Sequence, residues 1–222
     1  MRMRRKKHLP ERLEAVADIL FIGEQEDRNF KTAIEKKDYI DIKKWFGNAN
    51  PVYLEIGCGK GRFAAEYAKK HSDINLLAVE KDANVIVSAC ELAKRENLPN
   101  LRFIKCSAEY IERYLKPKSV SGIFLNCSCP FPKNTYASHR LTAPRFLEIY
   151  KRILKKGAHI EQKTDNMHFF EFSVEQFSLY GFTLKNITLD LHNSGYEENI
   201  VTEYESRFIA QGLPIYRLEA YL

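Results

Sequence analysis

From Val52 onward, short apolar runs rich in β-branched and aromatic residues alternate with segments whose apolar residues recur every three or four positions. Runs of the first kind read as strands and of the second as helices, and their alternation predicts βαβ units around a mostly parallel sheet. The predicted strands span 52–56, 75–80, 101–106, 122–127, 159–163, 183–191 and 215–221, a set of seven that fits one sheet. Helical spacing falls at 63–70, 85–96, 108–115, 144–154, 169–180 and 203–211. In the fourth of these, Phe146, Leu147, Tyr150, Ile153 and Leu154 form one apolar stripe and are expected in the core. Phe169, Phe170 and Phe172 read the same way, as core before base-stacking platform. Residues 1–50 are more weakly patterned and predict an arm with one or two helices beside the sheet.

Composition narrows the class. With 222 residues, 45% of them hydrophobic, the chain can bury one sizeable core. Lys, Glu or Asp interrupts every apolar run well before the roughly 20 residues of a membrane helix, so no membrane partner is expected. The basic start is followed by Glu11, Arg12, Glu14 and Asp18, where a signal peptide would carry its apolar stretch. The five cysteines are odd in number and include no Cys-x-x-Cys pair, which predicts reduced thiols in a cytoplasmic protein. Cys127 and Cys129 are two apart on a predicted strand and so face one side, but no further ligands lie near them in sequence and no metal is expected. Arg2, Arg4, Arg5, Lys6 and Lys7 supply five charges of the net +6. A basic arm of this kind suits phosphate contacts on nucleic acid, a solvated terminus being the plainer alternative.

The chemistry starts where the first strand runs into Glu55-Ile56-Gly57-Cys58-Gly59-Lys60-Gly61-Arg62 and then a helix. Ligands of open α/β sheets bind at this end of a strand, and glycines let backbone approach them. A dinucleotide-binding loop wants Gly-x-Gly-x-x-Gly, whereas Arg62 stands at the last of those positions. Glu55 would repel a pyrophosphate, and the pair of departures disfavours a nucleotide-dependent oxidoreductase. S-adenosylmethionine, a sulfonium and an ammonium with no phosphate, suits that carboxylate. Glu80 ends the second strand, where an acid can accept from both ribose hydroxyls; its plainer reading is a cap for the following helix.

Further along stand Ser128-Cys129-Pro130-Phe131-Pro132-Lys133, Arg140-Leu141-Thr142, Lys163-Thr164-Asp165-Asn166, Asp190-Leu191-His192-Asn193-Ser194 and Thr202-Glu203-Tyr204-Glu205, with Ile215 to Ala220 closing the chain. Behind the glycine loop and in this order, these blocks resemble the bacterial tRNA (guanine-N7)-methyltransferase family over essentially the whole chain. The resemblance implies the class I methyltransferase fold: an α/β, Rossmann-like, seven-stranded and mostly parallel sheet with its last strand antiparallel and helices on both faces. It divides the chain into an arm with accessory helices (1–50) and an S-adenosylmethionine-dependent methyltransferase domain (51–222). It implies methyl transfer from S-adenosylmethionine to N7 of a guanine in tRNA, at position 46 of the variable loop. By the same resemblance Glu55, Gly57, Gly59, Gly61, Glu80, Ser107, Ala108 and Cys129 surround the cofactor, and Lys133, Arg140, Asp165, Thr202, Glu203, Tyr204 and Glu205 face the tRNA. Asp165, Glu203 or Glu205 could accept from N1–H and the amine of guanine. Thr202 with Glu205 is also a capping box, and His192 either shapes the substrate side or bonds locally. Monomer and homodimer both stay open.

One block departs from the family's Ser-Asp-Pro-Trp-Pro-Lys and its following basic run. Cys129 stands where the acid belongs, which makes it the one catalytic candidate by position, and Phe131 replaces the tryptophan. Because N7 has no proton to lose, the expectation is reduced activity; the alternative is a weakened or inactive relative that binds S-adenosylmethionine and tRNA. Covalent attack by Cys129 is disfavoured, since cytosine-C5 enzymes resemble a Pro-Cys order and this chain reads Cys-Pro. The thin basic loop shifts tRNA affinity toward the arm and Arg140.

Overall fold

The strand-forming runs 52–56, 75–80, 101–105 and 120–126, set between helices in sequence, come out as strands buried along most of their length. The computed structural model describes residues 6–23, 35–202 and 204–222. It divides into two compact units, Met1–Lys116 and Pro117–Leu222. Arg2, Arg4, Arg5 and Glu203 lie outside the described residues.

The first unit runs α1 (Leu9–Glu14), β1 (Leu20–Ile22), α2 (Ile42–Phe46), β2 (Val52–Ile56), α3 (Arg62–Lys70), β3 (Asn75–Glu80), α4 (Ala83–Arg95), β4 (Leu101–Lys105), a 3-10 turn (Ala108–Tyr110) and α5 (Ile111–Tyr114). Its strands lie in the order β1-β4-β3-β2, all parallel, with Leu20 opposite Phe103, Ala78 opposite Phe103 and Glu55 opposite Ala78. Leu54, Leu76, Leu77 and Ala78 have no exposed surface, so the core is sealed along the middle of β2 and β3. On α4, Ile86, Val87, Ala89, Cys90 and Ala93 are buried, and Asp82 caps its start by accepting from the Asn84 N–H at 2.8 Å.

The expected seven strands become eight among the described residues, because β1 was not foreseen. Three residues are too few to show a period of two, and with Leu20 buried and Ile22 exposed the strand sits at the edge beside β4. The segment leading to it is fastened to α4 by Arg12, which donates twice to Glu91 at 2.6 Å, and by Lys94, 2.7 Å from Asp18. Such half-exposed pairs contribute at most about 1 kcal/mol each, so the burial of Leu9, Val16, Ile19 and Leu20 dominates the attachment. Trp45 donates its indole N–H to the Asp18 carbonyl at 3.0 Å.

The second unit runs β5 (Val120–Asn126), a 3-10 turn (Asn134–His139), α6 (Pro144–Ile153), β6 (Leu154–Thr164), α7 (Met167–Leu179), β7 (Thr183–Thr188), α8 (Glu205–Ile209) and β8 (Tyr216–Tyr221). β5 and β6 are parallel, while β8 runs antiparallel to both β6 and β7 and lies between them, which is the antiparallel last strand expected. The stripe Phe146, Leu147, Tyr150, Ile153 and Leu154 is buried as foreseen. So are Phe169 and Phe170, whereas Phe172 is half-buried under the Arg140 guanidinium, 4.5 Å above its ring. β7 stops at Thr188, short of 191, after a register shift between Lys185 and Thr188. β5 ends at Asn126: Cys127 has φ +46°, so Cys127 and Cys129 leave the strand and the expected shared face does not exist. Among the described residues no helix is long and apolar enough to cross a membrane.

Candidate functional site

In the first unit, β2 delivers the glycine loop. The N–H groups of Gly57 and Cys58 both donate to the Val79 carbonyl, at 2.8 and 3.0 Å, which ties the loop to the end of β3. Gly57, Gly59 and Gly61 have φ of 84°, 58° and 81°, a region that costs other residues about 1–2 kcal/mol. A Cβ on Gly57 or Gly59 would meet nothing within 4 Å, so the backbone there is open on the side where a side chain would stand. Gly61 differs. Its Cβ would lie 2.7 Å from that of Ala89, so this glycine lets α3 start against α4.

Two carboxylates flank the loop. Glu55 is buried one residue before the end of β2. Glu80 ends β3, and its Oε1 accepts from the N–H groups of Lys81 and Asp82 at 2.8 and 3.0 Å. One oxygen is thus fixed by backbone, and the helix cap itself falls to Asp82, which leaves the second oxygen for a ligand hydroxyl. Both acids act on the loop between them: burial first, then Glu55 and Glu80, push the Cys58 thiol well above its ordinary range. A negative field at a glycine loop with open backbone fits a sulfonium and an ammonium, and Glu80 fits a ribose diol. After β4, Ser107 precedes the 3-10 turn with its hydroxyl bonded to Glu109, and Ala108 is buried.

The second unit holds the tRNA-facing candidates. Past β5 the chain turns sharply, with Cys127 and Phe131 both in the left-handed region at φ 46° and 43°. Cys129 and Lys133 are exposed. Arg140 is buried, donating from Nε to the Pro130 carbonyl at 2.9 Å and from Nη2 to that of Phe131 at 3.1 Å, and so braces this loop from behind. It borders a cleft of about 570 Å³ with Pro132, Asn134, Phe172 and the acidic face of α7 at Glu171 and Glu175.

At the end of β6, Asp165 is half-buried and Asn166 caps α7 through the Phe169 N–H at 2.8 Å. The foreseen capping box forms: Thr202 accepts from the Glu205 N–H at 3.0 Å and Glu205 accepts from the Thr202 N–H at 3.2 Å. Glu205 is fully buried, its carboxylate also taking Lys163 at 3.1 Å and Asn199 at 2.7 Å. His192 comes to 3.6 Å from it, beyond hydrogen-bond reach. Tyr204 is 46% exposed, enough for a base to reach its ring, and burial together with the charge of Asp165 pushes its phenol upward. Burial holds the Cys127 thiol near 12, with Glu205 and Asp165 adding to it against Lys163. Cys127 therefore senses the charges of Glu205 and Asp165, and Tyr204 that of Asp165. Lys163 was missed as a site residue; the signal was a lysine inside a strand, immediately before Thr-Asp-Asn.

A family model described as "Putative methyltransferase" matches residues 49–218. A Listeria welshimeri protein named tRNA (guanine-N(7)-)-methyltransferase is 46% identical over 192 residues, 85% of this chain and 90% of its own length. The Macrococcus caseolyticus protein of the same name is 40% identical over 220 residues, 99% of each. Among solved structures, an antibiotic-related methyltransferase superposes with TM-score 0.60 at 18% identity, over 85% of this chain and 96% of its own. A 30S ribosomal A1408 methyltransferase from an uncultured bacterium gives 0.56 at 14%, over 83% and 95%. At such identities these two speak for the fold, an α/β methyltransferase fold.

Proposed function

The chain belongs to the bacterial tRNA (guanine-N7)-methyltransferase family, and from that premise we propose that it methylates N7 of guanine 46 in the variable loop of tRNA. The observation that carries the reading is likeness from end to end, 40% over 99% of both chains, to a relative bearing that activity's name. The alternative of an inactive relative is not favoured, because relatives named for the activity are 40% and 46% identical over most of the chain.

Glu55, Gly57, Gly59, Gly61 and Glu80 are the residues to hold S-adenosylmethionine, with Ser107, Ala108 and Cys129 as further contacts. Bound there, it supplies a methyl group on a sulfonium, which N7 takes by in-line displacement to leave a cationic base. Since N7 carries a lone pair and no proton, the chain has no deprotonation to perform. Its work is orientation, a reacting distance of about 3–3.5 Å, and a negative field for the positive charge that passes to the base. Of Asp165 and Glu205, Asp165 is the carboxylate we assign to accept from guanine N1–H and the amine, since Glu205 is spent on Lys163, Asn199 and Thr202; Glu203, the third candidate, lies outside the described residues. Tyr204 offers an exposed ring to the base and Lys133 a cation to a phosphate. Arg140 acts on tRNA through the loop it braces.

The division into arm and accessory helices (1–50) and catalytic domain (51–222) is part of this reading, supported by the match over 49–218. A cytoplasmic location follows from the substrate. Transcripts of one tRNA with guanine or adenine at position 46 test the reading: the first is methylated and the second is not. Equal methylation of both would remove the variable-loop target.

A further inference from the structure

Lys163 is 1% exposed, one residue before the end of β6, yet its ammonium is fully engaged. It donates to Asn199 Oδ1 at 3.0 Å, to the Ile200 carbonyl at 2.9 Å and to Glu205 Oε2 at 3.1 Å. Three donors meet three acceptors, all on the segment from Asn199 to Glu205. The same residue's backbone carbonyl accepts from the Cys127 N–H at 2.8 Å, where the Cys129 loop leaves its strand. One residue thus grips both substrate-side segments, one by its main chain and the other by its side chain.

Stability alone gives no reason for a charge here. Burying an ammonium and a carboxylate costs desolvation, and apolar residues of equal volume commonly do as well or better. What an apolar side chain cannot do is bond three points of another segment at once. We propose that Lys163 is a positioning residue for methyl transfer, setting the segment that carries Tyr204 against the loop that carries Cys129. The proposal rests on the methyltransferase reading above. Without Lys163 the 199–205 segment keeps its own capping box but loses its registration to the end of β6, two residues before Asp165. A displacement of about 1 Å at such a site lowers turnover on the order of 100-fold.

The test compares wild type with the double variant Lys163→Met/Glu205→Gln, which removes both charges and leaves neither stranded, and with Asn199→Ala, which cuts the link from its outer end. Turnover is measured at saturating tRNA and S-adenosylmethionine, together with the Kd for S-adenosylhomocysteine and the thermal midpoint. The expected result is a kcat about 100-fold down for the double variant and about tenfold down for Asn199→Ala, with the Kd within twofold of wild type. A merely structural pair would lower the midpoint and leave the kcat of folded enzyme within threefold, and that result overturns the proposal. If the double variant does not fold, Asn199→Ala decides alone by the same threshold. Wild type that makes no 7-methylguanosine would instead sink the functional reading, so the two failures are distinct.

Discussion

Gly61 and Ala89 stand so close that a Cβ on the glycine would lie 2.7 Å from the alanine's Cβ and 3.0 Å from its Cα. Gly61 also has φ 81°, so it is constrained twice over. Gly61→Ala is expected to destabilise the protein by about 2 kcal/mol or more, combining left-handed strain with overpacking. Ala89→Gly removes the 2.7 Å contact but leaves the 3.0 Å approach to Cα and the strain, so in that background, measured against the Ala89→Gly single variant, the cost of Gly61→Ala should fall by about half. Urea unfolding measures both, and no recovery would mean that the contact is not the cause.

Glu80 gives one oxygen to the backbone of Lys81 and Asp82, and the other is assigned to the ligand in the proposed function. Glu80→Gln keeps an acceptor for the Lys81 and Asp82 N–H groups and loses the charge, so folding should be unaffected while S-adenosylmethionine binds about tenfold more weakly. Calorimetry giving an unchanged Kd would take Glu80 out of the cofactor site.

At position 129 the thiol is a weak acceptor where the family pattern that the sequence resembles calls for an acid. Wild type is expected to be active, with Cys129→Asp raising the rate of N7 methylation about tenfold. An unchanged rate would show that the position matters little to the chemistry.

The thiols also differ in reach. Burial holds Cys58 and Cys106 well above the ordinary range and Cys90 and Cys127 near 12, so each carries almost no thiolate at pH 8. Iodoacetamide at pH 8 should therefore modify exposed Cys129 first, as peptide mass mapping would show. Early labelling of Cys127 would contradict its burial beside Glu205 and Asp165.

Of the arm's first basic residues, Lys6 and Lys7 fall within the described chain. Lys6 is docked on α4, its N–H donating to Asn84 at 2.9 Å and its ammonium bonded to Ser88, while Lys7 is exposed. Deleting residues 2–7 removes five positive charges, which should weaken tRNA binding and flatten its dependence on salt, each lost phosphate contact reducing the logarithmic slope by about 0.7–0.9. Binding with the same slope as wild type would assign the arm no electrostatic role.

Apolar periodicity made seven of the eight strands and the core of α6 legible, because burial on both faces leaves an unbroken signature in β2, β3 and β4. It could not show β1, whose three residues carry no period. Nor could it show that Glu161, Gln162, Lys163 and Thr164 are all buried, since a polar run reads as surface until partners such as Arg217 and Glu205 are in view. For the site, spacing marked the glycine loop, Glu80 and the capping box. The left-handed turn at Cys127 escaped it, as did the inward bonds of Arg140, named only as a tRNA contact, to two carbonyls: both are tertiary facts.

The most direct measurement is transfer of a labelled methyl group from S-adenosylmethionine to bulk tRNA, followed by digestion and nucleoside analysis. The label should appear in 7-methylguanosine. Label in any other nucleoside, or none with fully folded protein, would contradict the account.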